Sequence, residues 1–132
     1  MNSRQKGARG EREAAKEWAR IMGGHARRGQ QFSGGKESPD IVIAHKKIHV
    51  EVKRVEAGNP YKWMDQAVRD AAAKVPVVMH RRNNRDWLLI VRLNDVPKFL
   101  LAASDAESAA PVGDQEIPAD HARQGVPPSG EA

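Results

Sequence analysis

The residues best suited to chemistry lie near the middle of the chain, in the segment Ile48–Lys53. The strict alternation of β-branched and polar residues there predicts a β-strand. Because alternate side chains of a strand point to opposite faces, Glu51 and Lys53 should lie side by side on the polar face. A Glu-x-Lys pair by itself is typical of a surface salt bridge. A functional interpretation therefore needs a further group beside it.

A second carboxylate is available on the preceding strand. The apolar run that begins at Pro39-Asp40 predicts a strand that folds back on the next one as a hairpin, which would bring Asp40 beside Glu51. Two adjacent carboxylates repel each other unless a cation joins them, and such oxygen ligands suit Mg²⁺ or Mn²⁺. The ion would hold a phosphate oxygen and lower the pKa of a bound water, with Lys53 orienting that water or neutralising developing charge. In a basic chain this chemistry indicates phosphodiester hydrolysis.

The pattern resembles the PD-(D/E)xK nuclease signature, because ten residues separate the Pro-Asp from the Glu-x-Lys. Flanking motifs extend the resemblance to the archaeal-type Holliday junction resolvases and their phage relatives. Several motifs in one order are more specific than any one of them. The matching residues are Lys6-Gly7 with Glu11-Arg12, then Ser33-Gly34, Pro39-Asp40, Glu51-Val52-Lys53, and Tyr61 with Gln66-Ala67.

The helix acid of that pattern, Glu11, also has support from residue spacing. Glu11 lies in line with Ala14 and Trp18 at helical spacing, so its carboxylate should point along the core-facing side of the helix. A carboxylate at a buried edge needs a partner. By resemblance, Glu11 completes a metal site with Asp40 and Glu51. The alternative is an acid that the helix dipole favours near the N-terminus.

The resemblance also implies roles for residues around this acidic site. It implies that the carbonyl of Val52 is a metal ligand, that Ser33 lies near the scissile phosphate, and that Gln66 supports Lys53. Loop serines and exposed helical glutamines need no special role, so both interpretations stay open for Ser33 and Gln66.

The function that the resemblance implies is an Mg²⁺-dependent endonuclease, with Mn²⁺ able to substitute, acting on branched DNA such as four-way junctions. It would leave 5′-phosphate and 3′-hydroxyl ends. Family members are homodimers, so a dimer with two opposed sites is expected. Two alternatives are a related nuclease that cuts flaps, nicks or linear duplex, and a nucleic-acid-binding domain without catalysis. Apolar candidates for the dimer surface, which core packing explains equally well, are Val96, Phe99, Leu100 and Leu101.

The charge of the chain is unevenly distributed. The formal net charge is +5, but residues 104–132 carry −5 and residues 1–103 carry +10. The basic charge of residues 1–103 favours a polyanionic partner, because each phosphate that Lys or Arg neutralises releases counterions. The alternative is a solvated basic surface without such a partner. Contacts to phosphate position DNA without reading its sequence. The basic residues predicted to make them are Lys6, Arg9, Arg12, Arg27, Arg28, Lys36, Arg54 and Lys62.

Hydrophobic periodicity predicts a mixed α/β fold of the α+β type, with element order αβββαββα. Helices are expected at 7–23, 60–74 and 95–103, and strands at 27–32, 40–44, 48–53, 75–80 and 87–93. The expected architecture is a central mixed five-stranded sheet flanked by helices, restriction-endonuclease-like by resemblance. We expect one nuclease domain at 1–103 and an acidic, proline-containing flexible tail at 104–132.

The composition disfavours several other classes. The chain has no cysteine, which excludes disulfides, thiolate zinc sites and cysteine nucleophiles, and its histidines form no i, i+4 pair. The segment Ser33–Glu37 lacks the first glycine and the Ser/Thr of a phosphate loop, so no nucleotide cofactor is expected. No apolar run could span a membrane and no signal peptide is apparent. We therefore expect a cytoplasmic protein of a bacterial, archaeal or phage-infected cell, with no membrane partner.

Overall fold

The computed structural model describes residues 3–29 and 40–106, with side chains from residue 7 onward. The mixed α/β character predicted from the sequence is confirmed. Most of the predicted tail, from residue 107 onward, lies outside the described residues. The elements are α1 (Ser3–Met22), β1 (Ala26–Arg28), β2 (Ile41–Ile43), β3 (Ile48–Lys53), α2 (Pro60–Ala71), β4 (Val75–His80), β5 (Leu88–Val91), a 3₁₀ turn (Leu93–Asp95) and α3 (Val96–Ala103).

The strands of the described residues form two sheets. β1 pairs antiparallel with β2, whereas β3, β4 and β5 form a second sheet in that order, with β4 parallel to β3 and antiparallel to β5. The predicted single five-stranded sheet and the predicted β2–β3 hairpin are therefore wrong for this part of the chain. Between β2 and β3, the Asp40 side chain accepts a hydrogen bond from the Val52 amide at 2.7 Å. The Asp40 carboxylate therefore accepts a hydrogen bond from a backbone N–H that, in a regular β-ladder, would donate to a carbonyl of the neighbouring strand.

The two parallel strands of the three-stranded sheet, β3 and β4, are covered on both faces. Parallel β3 and β4 need a crossover connection, which α2 supplies across one face. The apolar residues of α1 and α3 pack on the other face, in a core that includes Trp18, Val50, Val77 and Ala102. A smaller core under α2 includes Met64, Ala67 and Val78. Both faces of β3 are therefore buried, including the face that carries its polar residues.

α1 buries the face predicted from its apolar spacing. Ala14 and Trp18 are almost completely buried. The Trp18 indole N–H donates to Nδ1 of His45 at 3.1 Å, so the polar atom of this large side chain is satisfied inside the core. Burial, with a smaller contribution from His25, lowers the pKa of His45, which keeps its ring neutral as an acceptor. The helix ends before Gly23, whose φ of 85° suits glycine.

Local sequence determines where α2 begins. Asn59 caps the helix by accepting a hydrogen bond from the Tyr61 amide at 2.9 Å, and Pro60 follows at a position that needs no amide donor. Gly58 has φ 150°, and a Cβ there would lie 2.4 Å from the Trp63 ring. The residues just before α2 therefore pack closely against the first turn of the helix. Within the described residues, no helix is long and apolar enough to cross a membrane.

The packing of α1 on the end of β3 predicts opposite effects at two glycines of the same helix. A Cβ at Gly10 would lie 2.6 Å from Cβ of Arg54, whereas one at Gly7 meets nothing within 4 Å. Gly7→Ala should raise the free energy of unfolding by about 0.5–1 kcal/mol through helix propensity. Gly10→Ala should lower it by about 1–3 kcal/mol, because α1 must move away from β3. Urea denaturation followed by circular dichroism measures both; equal stabilisation would contradict the close approach at Gly10.

Candidate active site

Asp40 lies immediately before β2 and is anchored to the free edge of β3. Its Oδ2 accepts a hydrogen bond from the Val52 amide at 2.7 Å. On the opposite edge, the Lys53 carbonyl accepts from Arg81 after β4 at 3.1 Å. Because successive residues of a strand direct their backbone groups to alternate edges, the Val52 carbonyl faces the same edge as its amide. Asp40 and the Val52 carbonyl, both predicted metal ligands, therefore meet at this edge.

Glu51 and Asp40 form a crowded pair of acids. Glu51 is only 4% exposed although it carries a carboxylate. Burial raises the pKa of Asp40 from its ordinary 3.8 to about 7, with further contributions from the negative charges of Glu51 and, more weakly, Glu11. The Val52 hydrogen bond and the charge of Lys53 oppose this shift. Glu51 and Glu11 are thus close enough for each to disfavour a charge on Asp40.

Lys53 and Gln66 are brought together across the interface between β3 and α2. The Lys53 ammonium donates to Oε1 of Gln66 at 3.2 Å and lies 3.7 Å from Oε2 of Glu51. Gln66 is half-buried, so the structure gives it a contact that a purely exposed helical glutamine would lack. The pair orients the ammonium beside the acids.

Glu11 lies on the buried side of α1, as its spacing predicts, but its carboxylate is engaged. Arg28 of β1 donates through Nε to Oε1 of Glu11 at 2.8 Å. The Glu11 side chain is 16% exposed. This ion pair links α1 to the first sheet. Arg28, which the sequence predicts to contact DNA, makes this ion pair within the protein.

The donor set at this place fits a hard divalent cation. Asp40, Glu51 and Glu11 offer carboxylate oxygens, and Val52 offers a carbonyl oxygen. Burial, more than the neighbouring acids, raises the pKa of Asp40, and Lys53 opposes this shift only weakly. A divalent cation would favour the ionised form of these acids, and oxygen donors are those that Mg²⁺ and Mn²⁺ prefer.

The remaining predicted residues fall into three groups. Ser33 and Lys36 lie outside the described residues, as does the side chain of Lys6. Arg54 is turned inward, because it donates to Glu13 at 3.3 Å and to Asn83 at 3.0 Å. The exposed members of the predicted DNA-binding set are Arg9, Arg12, Arg27 and Lys62.

Two residues near the acids were not predicted as site residues. Potential ligand atoms of His49, Glu51 and Asp70 lie within 4.8 Å of one another. The signal in the sequence is the spacing, since His49 is two residues before Glu51 on one strand and Asp70 is four residues after Gln66 on one helix. Which helix covers β3 could not be read from that spacing.

The chain matches a family model described as "Phage putative PDDEXK endonuclease" over residues 2–124. The chain belongs to this family. It is therefore a nuclease of the PD-(D/E)xK superfamily. Nucleases of this superfamily typically use divalent metal ions, consistent with the donor set described above. No curated protein and no solved structure matches the chain significantly.

The Asp40 environment predicts how the metal-free nuclease responds to pH. Since the pKa of Asp40 is raised from 3.8 to about 7, the folded chain keeps a proton that the unfolded chain loses. In EDTA, this residue should make the free energy of unfolding fall, by on the order of a few kcal/mol, as pH rises from about 4 to about 7, and then level off. Denaturation of wild type and Asp40→Asn across this range measures the contribution as their difference.

The matched control is Asp65→Asn, an exposed acid on α2. This variant should keep the wild-type pH dependence. Above pH 7, Mg²⁺ should stabilise wild type and Asp65→Asn more than Asp40→Asn. Identical pH profiles for wild type and Asp40→Asn would contradict the raised pKa.

Proposed function

We propose that this endonuclease cleaves branched DNA, with four-way junctions as its substrate, in an Mg²⁺-dependent reaction that leaves 5′-phosphate and 3′-hydroxyl ends. The observation that carries the hydrolytic part is the cluster of Asp40, Glu51 and Lys53, with Gln66 holding the lysine. The choice of junctions is supported by the resemblance of the flanking motifs to the archaeal-type resolvases.

In the proposed mechanism, some residues of the cluster would bind the metal ion and Lys53 would contact the reacting groups. Asp40, Glu51, the Val52 carbonyl and Glu11 would hold the divalent ion. When bound, the ion supplies Lewis-acid stabilisation of the charge that develops on the scissile phosphate. Lys53 donates hydrogen bonds to the same developing charge or to the attacking water, and the contact with Gln66 preorganises its ammonium for this task.

The basic surface supports binding to the DNA backbone. Arg9 and Arg12 flank Glu11 on α1, Arg27 precedes the arginine that pairs with Glu11, and Lys62 lies one helical turn before Gln66 on α2. Along the chain, these exposed residues therefore lie within four positions of residues that belong to the cluster or pair with it. Contacts of this type give affinity without reading bases, which suits selection by DNA shape.

A substrate panel tests this function. Four-way junction, flap, nicked and linear duplex DNA are incubated with the protein in Mg²⁺ or EDTA, and cleavage is followed on denaturing gels. Asp40→Asn and Lys53→Ala should each slow junction cleavage about 100-fold or more, because each removes a group that acts on developing charge. Asp65→Asn should cut at the wild-type rate.

Each outcome of the panel discriminates between the alternatives. Equal cleavage of linear duplex and junction would contradict the junction preference while leaving the nuclease mechanism intact. Preferred cleavage of flaps or nicks would identify a related nuclease of the same fold. DNA binding without cleavage in Mg²⁺ would favour a non-catalytic binding domain.

A homodimer forms part of this proposal, since a junction with twofold symmetry requires paired cuts. Apolar side chains that could form the contact are exposed at the end of the described chain. Leu93 is 85% exposed, Leu100 62% and Leu101 74%. Of the other residues predicted for this surface, Val96 is half-buried and Phe99 packs partly against the main core. The exposed leucines are therefore the stronger candidates.

Sedimentation equilibrium tests this interface. Leu101→Glu should weaken dimerisation at least about 10-fold, because it buries a charge in an apolar contact. The matched control is Ile21→Glu, which changes another exposed apolar residue, 64% exposed at the end of α1. A monomeric wild type would contradict the dimer, and an unchanged Leu101→Glu dimer would place the interface elsewhere.

A further inference from the structure

A row of polar side chains is enclosed between β3 and α2. His49, Glu51 and Lys53 lie on the face of β3 that α2 covers, and Gln66 and Asp70 lie one helical turn apart on α2. Lys53 contacts Gln66 at one end of this row. His49 and Asp70 lie at the other end, and Glu51 stands between the two pairs.

The two oxygens of Glu51 face opposite neighbours. Oε2 lies 3.7 Å from the Lys53 ammonium, on the side of the proposed catalytic acids. Oε1 lies 3.9 Å from Nε2 of His49, on the far side. One carboxylate can therefore serve two sites, each through its own oxygen.

His49 provides an independent sign of a ligand. Its side chain is 3% exposed, and among the described residues its Nε2 has no hydrogen-bond partner. A buried polar atom without a hydrogen-bond partner destabilises the folded state. This nitrogen lies in the same cluster as oxygens of Glu51 and Asp70, with all three ligand atoms within 4.8 Å of one another. A positive ion between these groups would satisfy all three.

We propose that His49, Glu51 and Asp70 form a second cation site, which binds a transition-metal ion such as Zn²⁺. The imidazole distinguishes it from the all-oxygen set around Asp40, since nitrogen ligands suit Zn²⁺ and oxygen ligands suit Mg²⁺. Ligand atoms around tetrahedral zinc lie about 3.4 Å apart. The ligand atoms must approach one another by at most about 1.4 Å, which Asp70 allows because it lies half-buried at the surface of α2.

The ion would influence the catalytic site by holding the side chains around it in place. It would fix Asp70 of α2 to His49 and Glu51 of β3, and thereby hold Gln66, one helical turn away, against Lys53. It would also hold the Glu51 carboxylate while leaving Oε2 directed towards Lys53. His49 and Asp70 are accordingly positioning residues that touch neither the scissile phosphate nor the attacking water.

Calorimetric titration of the full chain with Zn²⁺ in excess Mg²⁺ tests the site. The Mg²⁺ occupies the oxygen-only site, so one Zn²⁺ should bind to wild type and raise its unfolding temperature. His49→Gln and Asp70→Asn should each weaken Zn²⁺ binding about 10-fold or more. Asp65→Asn, on the same helix, and Asp40→Asn, at the other site, should bind Zn²⁺ as wild type does.

The controls make each result decisive. Wild type that binds no Zn²⁺ in excess Mg²⁺ overturns the proposal, and so does wild-type affinity in both His49→Gln and Asp70→Asn. Loss of binding in Asp40→Asn instead would place the ion at the catalytic acids and overturn it as well. Circular dichroism checks folding, and the surface position of Asp70 keeps the test valid if His49→Gln unfolds. No DNA is used, so failure here leaves the cleavage mechanism untouched.

Discussion

The hydrogen bond from the Val52 amide to the Asp40 carboxylate is the interaction on which the site depends. It joins the two sheets at the point where their strands diverge. Because a side chain accepts this backbone donor, β2 and β3 do not continue as a regular ladder. The Asp40 carboxylate is therefore held at the edge of β3, beside the Val52 carbonyl and close to Glu51. The division of the sheet and the position of the Asp40 carboxylate near Glu51 therefore have one structural cause.

Burial of β3 on both faces makes this arrangement costly without a cation. Apolar residues occupy one face, and the other places Glu51 in an interior where an ionised group is poorly solvated. Lys53 brings positive charge nearby, yet burial and the charges of Glu51 and Glu11 keep the pKa of Asp40 raised. Binding of a divalent ion at these acids would therefore be coupled to folding, since the ion would stabilise charges that the metal-free fold tolerates poorly.

The packing of helix α2 on β3 encloses the polar side chains of that strand and places polar side chains of the helix beside them. Its small residues Ala67 and Ala71 are almost completely buried, which lets the helix approach β3 closely. Its N-terminus is fixed by the Asn59 cap, so its register along the strand is fixed as well. That register places Gln66 at Lys53 and Asp70 near the opposite end of the polar row. One helix therefore serves both the nuclease chemistry and the proposed second cation site.

Local sequence determined much of the secondary structure of this protein. Periods of two and 3.6 residues located the strands and helices, and the types and spacing of Asp40 and Glu51 predicted that these two acids lie near each other, as they do. Tertiary structure decided the division of the sheet, the pairing of Glu11 with Arg28, and the burial of polar residues under α2. The physical reason is that periodicity reports which face of an element is apolar. Which distant group meets that face depends on contacts between residues far apart in the chain.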